Sequence, residues 1–307
     1  MRPIKYRVAS SARATLAAVL VAFASGCATT STELPEPNNP PRKEIFYAVT
    51  ASHQLISFNT GQPQKILSKK ALTGLDAGEE ILGIDFRVAK GVLYGLGRTP
   101  SGARLVTIDT ASGKVAAVGA PLAVALEGSE FGFDFNPTVD RIRVVSNRGQ
   151  NLRLHPDTGA VVDSDPNTAG LQLDGKLAFA AGDRNAGKEP AVVGAAYTYN
   201  KQNEKITTNY VIDAATGSLA IQGSLEGLAP VISPNTGQLF TVGKLGTESF
   251  AYAAFDIADV SGAAFVALTA VGGKGSKFYL VDLQTGAATF LGTVGGGETI
   301  RGASFEP

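Results

Sequence analysis

The chain has 307 residues, 44% of them hydrophobic and 18% charged, with 36 glycines, no tryptophan and one cysteine. This is a globular composition, long enough for one large domain or two small ones. The 27 basic and 27 acidic residues cancel, and no basic run exists to neutralise phosphates, which argues against nucleic acid as a partner.

The first 26 residues read as an export signal. Arg2, Lys5, Arg7 and Arg13 precede an apolar run from Ala14 to Phe23, about half the length needed to span a bilayer. The small residues Ala24, Ser25 and Gly26 then run into Cys27. This resembles a bacterial lipobox, with Ala24 where leucine is usual, and implies cleavage before Cys27 and lipidation of its thiol. The competing reading is an ordinary cleaved signal with an incidental cysteine. Each methylene of an attached chain contributes about 0.8 kcal/mol to membrane anchoring. Loss of the signal leaves 23 basic against 27 acidic residues, a net charge of −4.

Cys27 is the sole cysteine, so no intrachain disulfide can form, and with its thiol lipidated, thiol catalysis and a zinc–thiolate site are also excluded. Ala28 stands where an inner-membrane retention signal commonly places aspartate. By that sorting rule the expected location is the outer membrane, facing the periplasm. Residues 27–43 are rich in Thr, Ser, Asn and Pro (Pro35, Pro37, Pro40, Pro41). Such a stretch reads as a flexible tether.

From Glu44 to the end, short β-rich runs alternate with Gly, Asn, Asp and Pro turns about every ten residues, which predicts an all-β domain over 44–307. The runs repeat. Ile81–Arg87 (ILGIDFR) leads across Lys90-Gly91 into Val92–Leu96. Glu130–Asn136 (EFGFDFN) leads across Asp140 into Arg141–Val145. A looser copy runs from Tyr252 to Ile257, across Ser261-Gly262, into Ala263–Leu268. A second motif follows: a strand ending in Asp or Asn, then a Thr-Gly or Ser-Gly turn, at 108–113, 156–159, 212–217 and 281–286, with a short form at 59–61. Asp and Asn side chains close such turns and glycine supplies the positive φ.

About four strands per copy is propeller arithmetic. The first copy lacks the leading Gly-x-Asp-Phe strand, and Ile300–Phe305 at the C-terminus resembles it, so the ring is expected to close by pairing the last strand with the first blade. Leading strands counted near 81, 131, 177, 252 and 300 give about five blades. The irregular stretch 164–252, with an extra hairpin around Ser233–Gly237, leaves six open, and a two-sheet sandwich is the alternative architecture.

Two segments carry a family resemblance: Phe131–Gly159 (FGFDFNPTVDRIRVVSNRGQNLRLHPDTG) and Leu177–Thr198, continuing into Tyr199-Asn200. They resemble the signature of the bacterial domain-of-unknown-function family 4394. The resemblance extends over most of the chain after Glu44. It implies a propeller-like exported protein and carries no activity and no site residues.

Four sets of residues are candidate sites. Asp85, Asp134 and Asp256, with Ser304 in the closing copy, hold equivalent places on leading strands that converge at a propeller axis. A ring of carboxylates there either binds a cation or a sugar, or accepts backbone N–H groups from the neighbouring blade, as buried carboxylates require. Asp163, Asp165, Asn167 and Asp174 have the spacing of calcium-loop ligands, although Thr168 and Pro166 fit that loop poorly and a polar connection explains them as well. Arg141, Arg143, Arg148 and Arg153 form a cluster for an anionic ligand or partner, or a solvated face paired with acids such as Asp140. Gly272–Ser276 resembles a phosphate loop but precedes a strand pattern, so it reads as a blade turn.

His53 and His155 fall in different copies without metal-ligand spacing, and no Gly-x-Ser-x-Gly elbow is present. The expectation is therefore a lipid-anchored, non-catalytic binding or scaffolding propeller. Its partner would be an envelope protein or a cell-wall or glycan ligand, and it would touch the membrane through its lipid. The alternative is a carbohydrate- or lactone-active hydrolase or lyase using axial carboxylates, with calcium as the one cofactor considered.

Overall fold

The computed structural model describes residue 1 and residues 35–307. The export signal, Cys27, Ala28 and the first part of the tether lie outside the described residues.

The β-branched and aromatic runs become strands: inner ones such as 80–87 and 192–197 bury side chains on both faces, while outer ones such as 66–71 alternate half-buried with exposed positions. In chain order these are β1 (Ile45–Thr50), β2 (Gln54–Asn59), β3 (Ile66–Ala71), β4 (Glu80–Arg87), β5 (Val92–Thr99), β6 (Gly102–Ile108) and β7 (Val115–Val118). Next come β8 (Phe131–Asn136), β9 (Arg141–Ser146), β10 (Asn151–Leu154), β11 (Ala178–Phe179), β12 (Val192–Tyr197), β13 (Asn209–Asp213) and β14 (Ser218–Gln222). The last are β15 (Gln238–Lys244), β16 (Phe250–Ile257), β17 (Ala264–Ala270), β18 (Ser276–Val281), β19 (Ala288–Thr293) and β20 (Ile300–Phe305).

They form five sheets: β20-β1-β2-β3, β4-β5-β6-β7, β8-β9-β10, β12-β13-β14-β15-β11 and β16-β17-β18-β19. We number these blades one to five. All pairings are antiparallel except β11 with β15. The innermost strands pack in a closed circle, β4 on β8, β8 on β12, β12 on β16, β16 on β20 and β20 on β4. The protein is a five-bladed propeller, neither six-bladed nor a sandwich.

Closure follows the expected route. β20 pairs with β1, placing Phe305 opposite Phe46 and Ser304 opposite Tyr47. The seam to blade five is filled by Phe46, Phe58, Phe265, Phe278 and Phe305, with ring centroids 4.9–5.6 Å apart. Such rings add edge-to-face attraction to their area burial.

The glycine two residues before Asp85, Asp134 and Ser304 has a steric origin, while Ala254 holds that place before Asp256. A Cβ on Gly132 would lie 2.6 Å from the Ala195 nitrogen, and one on Gly302 2.6 Å from the Gly83 Cα. The blades meet there backbone to backbone, and one end of the axis is closed.

Three expectations are corrected. The leading strand of blade four is β12, not a strand near 177, where the two-residue β11 forms the outer edge of that blade. The Ser233–Gly237 hairpin is a single 3-10 turn over Pro234–Thr236 inside the β14–β15 connection. The tether is shorter than 27–43, because residues 36–42 are bonded to the domain. Glu36 accepts the Thr293 N–H (3.0 Å), Asn39 donates to the Leu291 carbonyl (3.2 Å), and the Arg42 N–H donates to Asn59 Oδ1 (2.8 Å). The compact unit spans Glu36–Pro307.

Candidate functional site

At the open end of the axis, Asp85, Asp134 and Asp256 each bring a carboxylate oxygen within 4.8 Å of the others. Every one of these side chains is buried. Each reaches across a seam to the backbone N–H one residue beyond the equivalent position on the next blade. Phe135 N–H donates to Asp85 Oδ2 (2.7 Å), Tyr197 N–H to Asp134 Oδ2 (2.7 Å) and Phe305 N–H to Asp256 Oδ2 (2.8 Å). Ser304 continues the pattern: its Oγ accepts from Phe86 N–H (3.1 Å) and donates to Asp85 Oδ1 (2.6 Å). At the fifth seam Ala196 holds the position, and Ile257 N–H turns to its neighbour's Asp256 Oδ1 (2.6 Å). The ring therefore ties four of five seams.

Burial pushes all three acids towards their neutral form. Asp85 rises to about 7, while Asp134 and Asp256 are raised well above the ordinary value by burial and by the negative charge of their neighbours. Their oxygens lie within 4.8 Å of one another, and like charges forced that close favour the protonated form. The cavity over them holds about 20 Å³, room for one water-sized occupant. Asp259 lines it too and is raised to about 6 by burial, partly countered by Lys201. Among the described residues this trio is the group that could hold a cation, but most of its oxygens already serve the backbone.

A larger cleft opens beside the axis, between blades three and four. Its first lobe, about 340 Å³, is lined by Arg141, Arg143, Arg153, Tyr197 and Asn235 among others. Its second lobe, about 220 Å³, includes Thr207, Asn209, Gln222 and Glu226. The lobes share Asn136, Tyr197, Ser233 and Pro234. Tyr197 also lines the axial cavity, so the cleft begins at the mouth of the ring.

The floor of the cleft is a buried polar relay. Arg143 donates to Tyr197 Oη (3.2 Å), Asn151 Oδ1 (2.8 Å), Asp174 Oδ2 (2.5 Å) and Asn235 Oδ1 (2.6 Å). Arg153 grips both oxygens of Asp174 at 2.8 and 2.7 Å. Gln222 donates to Asn151 Oδ1 (3.0 Å), and Asn209 donates to Gln222 Oε1 (3.1 Å). Arg148 stands apart, exposed in the turn at the far end of β9.

The calcium-loop set is not assembled. Asp174 is enclosed by two guanidiniums. Asp163 Oδ1 accepts the N–H groups of Asp165 (2.9 Å) and Gln172 (3.2 Å), and Asp165 accepts from Asn167 N–H (3.2 Å) and from Thr168. These are turn-closing bonds within the loop. His53 and His155 lie in separate turns, and Gly272–Ser276 joins β17 to β18 without a helix.

Tyr197, Asn209, Gln222, Asn235 and Asp259 escape the sequence reading. Asp259, three residues after Asp256, is the one with a positional signal.

The model of a domain of unknown function, DUF4394, matches residues 54–304. The chain belongs to the DUF4394 family. The two segments that resemble its signature furnish β8–β10 and β11–β12 of this DUF4394 propeller, the first lining one wall of the cleft and the second adding Tyr197 to it. No curated protein matches the sequence. Among solved structures, the nidogen/laminin complex is 11% identical with a TM-score of 0.46, over 86% of this chain and 98% of that one. TolB from Acinetobacter baumannii is 9% identical with a TM-score of 0.41, over 86% of this chain and 67% of that one. A GH43 glycoside hydrolase with engineered endo-xylanase and exo-arabinofuranosidase activity is 10% identical with a TM-score of 0.49, over 85% of this chain and 53% of that one.

Proposed function

We propose that this DUF4394 protein is a lipid-anchored, non-catalytic binding propeller of the cell envelope, placed at the periplasmic side of the outer membrane by Cys27, and that its ligand is a cell-wall fragment or glycan seated in the cleft between blades three and four. One observation carries the reading. The repeated axial acids, the natural candidates for acid–base chemistry, are spent on backbone N–H groups across the seams. What is left unrepeated at the mouth is a cleft of the size and polarity of a small-molecule site.

The test is the melting temperature of the full-length protein in detergent against peptidoglycan fragments and oligosaccharides, with chromatography of the recovered ligand. Ligand at one hundred times its Kd stabilises the native state by about 2.7 kcal/mol, a rise of about 5 °C for a domain of this size. The expected outcome is such a rise with the ligand recovered intact. Shortened or opened products that vanish in Asp85→Asn and Asp134→Asn would replace this reading with the hydrolase or lyase one.

A further inference from the structure

The two lobes of the cleft differ in charge and in what they lack. Arg141, Arg143 and Arg153 line the first, and the carboxylate paired with them is Asp174, bonded to Arg143 and Arg153 alone. Arg141 donates to the carbonyls of Asp140 (2.8 Å) and Val139 (3.4 Å) and has no carboxylate partner among the described residues. In the second lobe Lys205 and Glu226 are of opposite sign, so the net positive charge is confined to the first. A half-buried guanidinium without an acid is a ready bidentate donor site for a carboxylate.

The second lobe holds an independent signal. Asn209 is 2% exposed and lines this lobe. Its Oδ1 is the one buried side-chain polar atom without a hydrogen-bond partner among the described residues. The rest of the relay, from Asn209 through Gln222 and Asn151 to Arg143, is bonded in sequence. A buried amide network with one vacant acceptor is costly unless a donor arrives, and a hydroxyl is such a donor. Val139 and Val231, both exposed, line the first and second lobes and offer apolar surface to the C–H faces of a sugar ring.

We infer that the cleft takes an acidic sugar, its carboxylate on Arg141 and a ring hydroxyl donating to Asn209 Oδ1. This rests on the binding reading above and names the chemistry of its ligand. Calorimetric titration of the full-length protein in detergent tests it, with D-glucuronate and N-acetylmuramate set against D-glucose, N-acetylglucosamine and acetate. The acidic sugars should bind at least about tenfold more tightly than their neutral counterparts, the weight of one charge-assisted contact, and acetate alone should not bind measurably. Arg141→Gln, at a partly exposed position the core does not need, should erase that preference while leaving the melting temperature near the parent's. Asn209→Ala should weaken acidic and neutral sugars alike and leave the preference intact.

Equal affinity for glucuronate and glucose, or a preference that survives Arg141→Gln, would overturn the assignment while the wider binding reading stands. Acetate binding as tightly as glucuronate would reduce the site to an anion site and also overturn it. Binding by none of these sugars overturns it too, and the wider reading then falls only if the peptidoglycan and oligosaccharide panel is silent as well.

Discussion

Asp134 shows how a residue that looks catalytic can be structural. Its Oδ2 accepts Tyr197 N–H, and burial beside Asp85 and Asp256 favours its neutral form. Asparagine keeps that acceptor and carries no charge. Asp134→Asn should therefore keep the fold, whereas Asp134→Ala leaves a buried N–H unpaired and should cost about 1–3 kcal/mol in chemical denaturation. The pH dependence has a definite sign. An acid whose folded pKa exceeds its unfolded one contributes stability that is full below the unfolded value and lost as pH rises through the folded one. With Asp85 at about 7 against 3.8, and with Asp259 and Glu130 raised to about 6 and about 7, melting should be higher at pH 5 than at pH 8. Asp134→Asn should flatten that decline. Asp174 lies between two guanidiniums with its side chain 1% exposed. Asp174→Ala would leave Arg143 buried without a counter-charge and should destabilise the protein by about 3–5 kcal/mol.

At the scale of the element, most blades were legible because one pattern recurs in them. Gly-x-Asp-Phe encodes close approach at the glycine, the seam bond at the aspartate and packing at the aromatic. The Asp–turn–Gly motif marks the hairpin between the third and fourth strands counted from the axis in blades one, two and five. Blade four breaks both rules. Its leading strand carries Ala196 in place of the acid, and its Asp213–Gly217 turn joins the second strand to the third. With both markers gone, β12 is not visible as a leading strand, and the segment near 177 that stands in for it is an edge strand. The cleft was hidden for a related reason: Asn209 and Gln222 sit in ordinary strands, and Asn235 reaches Arg143 across 92 positions of sequence. Arg141, Arg143 and Arg153 were visible as a group, but their spacing could not show which of them already had an acid. The steric account of the repeat glycine is open to direct measurement. Gly132→Ala brings a methyl against Ala195 and Gly194 backbone atoms at 2.6–2.7 Å, and should lower stability by about 1–3 kcal/mol.

For the whole molecule, the ring makes the last strand as important as the first. β20 completes blade one, donates Phe305 N–H to Asp256 and places Phe305 in the aromatic seam. Phe305→Ala should therefore cost about 3–5 kcal/mol in denaturant unfolding. The closed end of the axis, the seam bonds and the strand closure together describe a rigid frame whose variable chemistry sits to one side, in the cleft. The most direct test of that division is the melting temperature of the full-length protein and of Asp134→Asn, each in calcium and in EDTA. The account predicts no shift between calcium and EDTA for either protein, and melting points within a few degrees of each other. A calcium-dependent rise in the parent that Asp134→Asn abolishes would contradict it and make the axis a metal centre.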